Sequence, residues 1–132
     1  MLKKIQLSTK ARTAFLDITQ DVKKIVKESK VTEGSCTVSS LHTTAAVTIN
    51  ENADPDVIGD IAGFLDKTVP WKADYAHAEG NSPAHIKASL IGSSATIPIT
   101  ENSLFLGTWQ GIYFCEFDGP RKRTVVVNII NG

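Results

Sequence analysis

Three histidines, His42, His77 and His85, are the residues of this chain best suited to carry chemistry. None falls in an apolar helical stripe. His42 closes a β-like run, His77 lies in a polar loop, and His85 follows Ser82-Pro83 in the first turn of a helix. A single histidine in such a place is usually a surface or hydrogen-bonded residue. Three at element ends, two of them eight positions apart in HAEGNSPAH, make a shared site an equal alternative. Neutral imidazole ligates Zn²⁺ and similar ions, and three protein ligands with a fourth position left to water form the usual catalytic arrangement. The expectation is that His42, His77 and His85 hold one divalent metal, Zn²⁺ first among the options. The helix start at Ser82-Pro83 adds free N–H groups suited to a phosphate or carboxylate. Lys87 could bring charge nearby, the plainer reading being a solvated helix residue.

NENADPD, residues 50–56, follows the run that His42 opens. Asp54 before Pro55 is the pattern of a helix cap, and Asp56 belongs in the first turn, so neither needs a function. Asn50 and Glu51 are not explained that way. An acid directly after an apolar strand and before a helix is placed like a general acid or base, although such loop acids are often merely solvated. In GTWQGIYFCEFDGPRKR, Gly107 and Gly111 bracket Trp109-Gln110, which suggests a bulge or a close backbone approach to a ligand. Gln110 and Asn50 could then orient a substrate beside Trp109, against a plain turn in which Trp109 fills core. Arg121, in the basic triplet 121–123, could meet an anion, although triplets after turns are usually exposed.

Those side chains need elements to hold them. Residues 2–8 and 12–18 read as strands with a turn near Lys10. Thr19 can cap a helix over about 20–30, with Val22, Ile25 and Val26 as its stripe and Gly34 as its stop. CTVSSLH and TAAVTIN are β-rich. A helix capped by Asp54 and running to about Thr68 presents Val57, Ile58, Ile61, Phe64 and Leu65, and Ser82-Pro83, read as the same cap-and-proline device, opens a shorter one that turns Ile86, Leu90 and Ile91 inward. SATIPIT and SLFLGTW suggest a hairpin across Glu101-Asn102, and GIYFCEF and TVVVNII a second across Asp118-Gly119-Pro120. VVVNII, apolar at both parities, suggests a strand covered on both faces. About eight strands and three helices, with strands clustered at both ends of the chain, predict an α+β fold with a mostly antiparallel sheet or sandwich.

The 132 residues suit a single domain, 1–132, with an ordinary apolar fraction of 42%. Fourteen basic residues balance fourteen acidic ones, which gives no support to nucleic-acid or anionic-membrane binding. No apolar run approaches the roughly 20 residues that span a bilayer. The N-terminal residues alternate instead of forming a signal peptide. Cys36 and Cys115 make no CxxC pattern and are expected to be reduced and buried in a cytoplasmic protein.

With these stretches in view, the chain resembles the YjbQ-like family, often labelled secondary thiamine-phosphate synthases. The likeness runs through HTTAAVTINENADPDV (42–57), HAEGNSPAHIKASLIGSS (77–94) and LGTWQGIYFCEFDGPRKR (106–123), and so covers essentially the whole chain. It implies a compact α+β, sandwich-like subunit, a homotrimer, and three histidine positions matching His42, His77 and His85, with Asn50, Glu51 and Gln110 also at motif positions. Some members carry a longer, more acidic loop between the second and third histidines, where this chain has only AEGNSPA. The label implies a transferase that joins two thiamine precursors and expels pyrophosphate. Such chemistry needs anion clamps and usually Mg²⁺, whereas three imidazoles favour Zn²⁺, so thiamine-phosphate synthesis reads as a side activity.

The resulting expectation is a cytoplasmic metal-dependent enzyme, synthase-like or hydrolytic, acting on a small phosphorylated or heterocyclic substrate. The histidines hold the metal, Glu51 and Gln110 are catalytic, and Asn50, Lys87, Trp109 and Arg121 bind substrate. The alternative is a non-catalytic trimeric metal- or anion-binding module.

Overall fold

GIYFCEF is apolar at both parities, so a strand made from it must be covered on both faces. The computed structural model, which describes all of residues 1–132, places it in the middle layer of three. In chain order the elements are β1 (Leu2–Ser8), β2 (Ala14–Asp17), α1 (Thr19–Ser29), β3 (Gly34–Ser40), β4 (Ala45–Glu51), α2 (Pro55–Thr68), α3 (Ser82–Ile91), β5 (Ser94–Thr100), β6 (Ser103–Leu104), β7 (Gln110–Glu116) and β8 (Lys122–Asn131). All pairings are antiparallel: a five-stranded sheet in the order β1-β8-β3-β5-β6 and a three-stranded sheet in the order β2-β7-β4. The α+β class expected from the sequence holds.

Strand parity builds the layers. Ile112 and Phe114 of β7, with Ala45 and Val47 of β4, meet Cys36, Val38, Ile97, Ile99, Val125, Val127 and Ile129 of the larger sheet. Val22 and Val26 of α1 close the same core. The intervening residues, Ala46 of β4 with Tyr113 and Cys115 of β7, point the other way, where Leu65 of α2 and Ala84 and Ala88 of α3 cover them. Each of these large side chains contributes roughly 1.5–3 kcal/mol on leaving water. Both cysteines are free and buried, and burial pushes the thiols up, Cys36 to about 11 and Cys115 to about 12.

Several local expectations change. The strands 111–117 and 124–130 do not form a hairpin: β7 lies in the small sheet and β8 between β1 and β3 in the large one, so the turn after β7 crosses between layers. The Glu101-Asn102 turn does form, both residues at positive φ, but β6 pairs for only two residues before the chain leaves the sheet. β8 alternates buried with half-buried positions, so its second face is only partly covered. Helix α1 ends at Lys30, in the left-handed region, ahead of Gly34. Gly34 instead answers a steric demand inside the sheet, since a Cβ there would lie 2.1 Å from the Ile130 carbonyl oxygen.

Neither of the other helix starts is capped by the residue nearest its proline or its stripe. Thr19 is the first residue of α1, and the Asp17 carboxylate accepts from its backbone N–H at 2.9 Å. Asn81, not Ser82, precedes α3, and its side chain makes no capping bond. The face of α3 turned inward is Pro83, Ala84, Lys87 and Ala88, whereas Ile86 and Leu90 are exposed. Asp54 caps α2 as expected, accepting from the Asp56 N–H at 2.9 Å.

Candidate functional site

At one end of the sandwich three connections meet: the β3–β4 crossing with His42, Thr43 and Thr44, the β7–β8 crossing with Asp118 and Arg121, and the start of α3 with Asn81 and His85. Two adjoining clefts open there, of about 570 and 300 Å³, and both are lined by His42, Thr43 and His85. The larger continues along Ala88, Ser89 and Ser93; the smaller is walled by Thr44, Glu79, Asn81, Asp118, Arg121 and Arg123.

Beneath the site lies a buried ion pair. Arg123 and Glu116 are 4% and 0% exposed, cost that only a nearly complete set of partners can offset. The Arg123 guanidinium donates through Nε to Glu116 Oε1 at 2.8 Å, through Nη2 to Oε2, and to Thr44 Oγ1 at 2.9 Å. Thr9 Oγ1 donates to Glu116 Oε1 at 2.8 Å and the Asp118 N–H to Oε2 at 3.0 Å. Burial pushes the Glu116 carboxyl up, but Arg123, the Asp118 N–H and Thr9 together hold it below its ordinary value. This pair fixes both crossings to one another and so fixes the cleft.

On that base His42 is held in one tautomer. Its Nε2 accepts the backbone N–H of Thr124 at 2.9 Å, at the start of β8. A neutral ring that accepts through Nε2 carries its proton on Nδ1. Burial, with Arg123 and Arg121 adding to it against the opposing Glu116, lowers the His42 pKa and so favours the neutral ring that this bond requires. Nδ1–H has no acceptor in the chain. His42 is therefore a fixed donor.

Asn81 stands in the wall of the smaller cleft. The residue is 6% exposed, and its Nδ2 donates to Glu79 Oε2 and Asp118 Oδ2, both at 2.9 Å, which commits both amide hydrogens and fixes the amide's orientation. Its Oδ1 is buried with no partner. Arg121 Nη2 meets Asp118 Oδ2 at 2.9 Å and Glu79 Oε2 at 3.9 Å.

The metal expectation is corrected by this donor set. Nowhere in the chain do three or more His, Cys, Asp or Glu side chains form a group able to hold an ion. His77 and His85 do meet, edge to face at 5.4 Å between ring centroids, and His85 shares the cleft with His42. But the His42 Nε2 lone pair is spent on Thr124, and the nearest carboxylates, Glu79 and Asp118, are taken by Asn81 and Arg121. The residues do not fit a divalent ion, Zn²⁺ included.

The remaining sequence candidates lie elsewhere. In the β4–β7 ladder Ala45 faces Glu116 and Glu51 faces Gln110. Glu51 and Gln110 thus stand six residues along the strand from the His42 end, ~20 Å at the usual strand rise. There Glu51 Oε2 accepts from the Asp54 N–H at 3.2 Å and Gln110 Oε1 from the Gly107 N–H at 2.8 Å; both serve the local backbone. Asn50 likewise bonds the Glu51 N–H, and Trp109 is 63% exposed rather than filling core. Lys87 is buried, its Nζ paired with Asp66 of α2 and 5.9 Å from the Phe117 ring centroid, and it lines neither cleft. The two cations expected to clamp a phosphate, Lys87 and Arg121, are both paired with carboxylates. Asn81, Glu79 and Asp118, which build the cleft, carried one usable signal in the sequence: polar residues gathered around His77 and after Phe117. Glu116 carried a stronger one, a lone acid inside a doubly apolar strand that must have a buried partner.

A family model described as "UPF0047 protein YjbQ-like" matches residues 3–132. The chain is 46% identical over 131 residues to UPF0047 protein YugU of Bacillus subtilis, covering 98% of this chain and 99% of that one. It is 51% identical over 130 residues to UPF0047 protein MJ1081 of Methanocaldococcus jannaschii, covering 98% and 94%. A crystal structure from Clostridium acetobutylicum, described as an uncharacterized conserved protein of the yjbq/upf0047 family, superposes with a TM-score of 0.96 at 58% identity, covering 97% of this chain and 99% of that one. One from Sulfolobus solfataricus, described as a YbjQ-like protein of unknown function, reaches 0.96 at 31% identity, covering 100% and 97%. The two crystal structures are described as uncharacterized or of unknown function, and none of the four descriptions carries a thiamine-phosphate synthase or transferase activity. The expectation of a metal-dependent enzyme on a phosphorylated or heterocyclic substrate is therefore withdrawn, together with its alternative of a metal- or anion-binding module.

Proposed function

The chain belongs to the YjbQ-like UPF0047 family, and from that premise we propose that it binds a small, uncharged polar molecule in the His42 cleft without a metal ion. The observation that carries this reading is the fixed donor of His42 in a cleft whose charged walls are already paired. Arg121 and Arg123 are matched by Asp118, Glu79 and Glu116, so an anion gains no free cation on entering. A neutral ligand keeps that balance intact. His85 lines both clefts, edge to face with His77, and is placed to contact the occupant.

A screen of small polar compounds against the full chain, read from backbone amide shifts in ¹⁵N-labelled protein, tests this. Neutral compounds should shift Thr43, Asn81 and Thr124 in a saturable way, and EDTA should leave the response unchanged. Binding there restricted to phosphates, or abolished by the chelator, contradicts it.

The homotrimer implied by the family resemblance is also proposed. Exposed Phe64 and Leu90, at 67% and 63%, support an association surface on the α2 and α3 layer. Light scattering at three times the chain mass is the expected result; the mass of one chain rejects it. A cytoplasmic location is supported by two buried free cysteines.

A further inference from the structure

The charges around the His42 cleft are paired, but those of α1 are not. Lys23 and Lys27 stand four residues apart in that helix, so their side chains share one face, where like charges repel. Neither forms an ion pair. Lys23 helps at a distance to lower the Asp17 carboxyl, whose hydrogen bonds go to Thr19 and Asn52. Both lysines line a cavity of about 200 Å³ whose other wall is the β5–β6 turn, with Asn102, Ser103 and Leu104. That turn is pinned to the end of α1. Asn102, at φ 57°, donates through Nδ2 to the Val26 and Val31 carbonyl oxygens at 3.0 and 2.7 Å, and its backbone N–H to Thr32 at 3.1 Å. Lys27 Nζ donates to Ser103 Oγ at 3.4 Å, so an ammonium and a hydroxyl meet across the gap. No acidic side chain lines the cavity. Glu33, bonded to the same turn, accepts instead from Thr100 Oγ1 at 3.0 Å and the Glu101 N–H at 3.2 Å.

We infer that this cavity takes a small doubly charged oxyanion, inorganic phosphate or the terminal phosphoryl group of a small ester, held by Lys23, Lys27 and the Ser103 hydroxyl. Two ammonium groups match a dianion in charge, and hydrogen bonds between ionised partners are the strong ones. A monovalent ion leaves one lysine unmatched, and a neutral molecule leaves both. The volume lies below the roughly 300–1,000 Å³ of sites that enclose a whole drug-sized ligand, so it suits a group of phosphate size. With its amide hydrogens spent on α1, Asn102 shapes the wall while the lysines and the serine supply the donors. None of these residues belongs to the His42 cleft. The larger cleft ends at Ser93, ahead of β5, and the cavity begins past Thr100, so the two stand at opposite ends of that strand, ~20 Å apart at the usual rise.

The inference is independent of the reading given to the His42 cleft, and its test reads other amides. Inorganic phosphate, glycerol 3-phosphate and sodium chloride are titrated into the full ¹⁵N-labelled chain at pH 7.5 and constant ionic strength, followed by the amides of Lys27, Asn102 and Ser103. Phosphate, the ester or both should give saturable shifts there, and chloride none. Saturation by free phosphate alone identifies the ion as the occupant; saturation by the ester identifies a terminal phosphoryl group. Lys23→Gln and Lys27→Gln should each weaken binding about tenfold or more, the usual cost of losing a hydrogen bond between charged partners. Glutamine is nearly as good a helix former as lysine, so α1 is expected to persist in both variants. Lys24→Gln, which removes a charge from the same helix outside the cavity, should leave the affinity unchanged. No saturable shift with either phosphate compound, an equal response to chloride, or a Lys24→Gln loss as large as that of Lys27→Gln overturns the site.

Discussion

His42 Nε2 accepts the backbone N–H of Thr124 at 2.9 Å, joining the β3–β4 crossing to the start of strand β8 across 82 positions of sequence. One hydrogen bond settles three matters together: the ring's tautomer, its charge and its unfitness as a metal ligand through that nitrogen. Protonating His42 would replace the acceptor with a second donor and set it against the Thr124 N–H.

That relationship sets a pH dependence. The folded-state pKa of His42 is lowered, burial being the first cause and Arg123 the next, so the unfolded chain binds this proton more readily. Stability is then full above the ordinary histidine value of about 6.5 and is lost as pH falls through it towards the lower folded value. Chemical denaturation between pH 7.5 and 5 should show this loss, and His42→Gln should flatten it. The Glu116 carboxyl, whose folded pKa is also lowered, contributes stability that disappears only at more acid pH, below the ordinary range of Glu, so the two windows separate. A wild-type profile that is flat from pH 7.5 to 5 contradicts the tautomer assignment.

Removing Arg123 leaves Glu116 charged and fully buried. Arg123→Met should cost about 3–5 kcal/mol in urea unfolding, the usual penalty for breaking a buried pair. The double change Arg123→Met with Glu116→Gln should recover part of that loss, since it removes the stranded charge. If the double variant is less stable than the single by the full cost of a second independent change, the pair is not coupled.

Gly119 carries the crossing between layers. A Cβ there would lie 2.2 Å from the Ala11 carbonyl oxygen, 2.7 Å from Thr9 Oγ1 and 2.9 Å from Glu116 Cγ. Gly119→Ala should destabilise by roughly 2 kcal/mol or more, because the nearest obstacle is backbone. It should also shift the amides of Thr9 and Arg121. Gly59→Ala, where nothing lies within 4 Å of the added carbon, should be neutral or slightly stabilising in its helix. Equal effects at the two positions contradict the packing described.

Metal removal should do nothing. Protein purified without a histidine tag and dialysed against EDTA is expected to keep its melting temperature and its amide spectrum, because no set of donors in the chain fits an ion. A melting temperature that falls with chelator and returns with Zn²⁺ alone contradicts this.

Much of the fold was legible because it depends on local pattern. Asp54-Pro55 announces α2, Glu101-Asn102 announces a tight turn, and the β-rich segments map onto strands. Pairing was less legible, since strands adjacent in sequence, β1 with β2 and β7 with β8, go to different sheets. Nothing local distinguishes a hairpin turn from a crossing between layers; Glu116, an acid that must find Arg123 and Thr9 in the gap, was the available clue. The site divides in the same way. His42, His85 and Arg121 were marked by residue type and do share a cleft, but Glu51 and Gln110 are separated from it by the length of β4. Tautomer and pairing decide what such residues can do, and neither is written in residue spacing. Asn81 was hidden by Ser82-Pro83, which looked like a cap and its helix start, so the preceding residue passed as loop.

The most direct measurement is the ring ¹⁵N spectrum of the three histidines at pH 7.5. His42 is expected to show a protonated Nδ1 and an unprotonated, hydrogen-bonded Nε2, unchanged by EDTA. A His42 ring protonated on Nε2, or one whose nitrogen shifts move on removal of a metal, contradicts the central claim that this cleft holds a fixed donor and no ion.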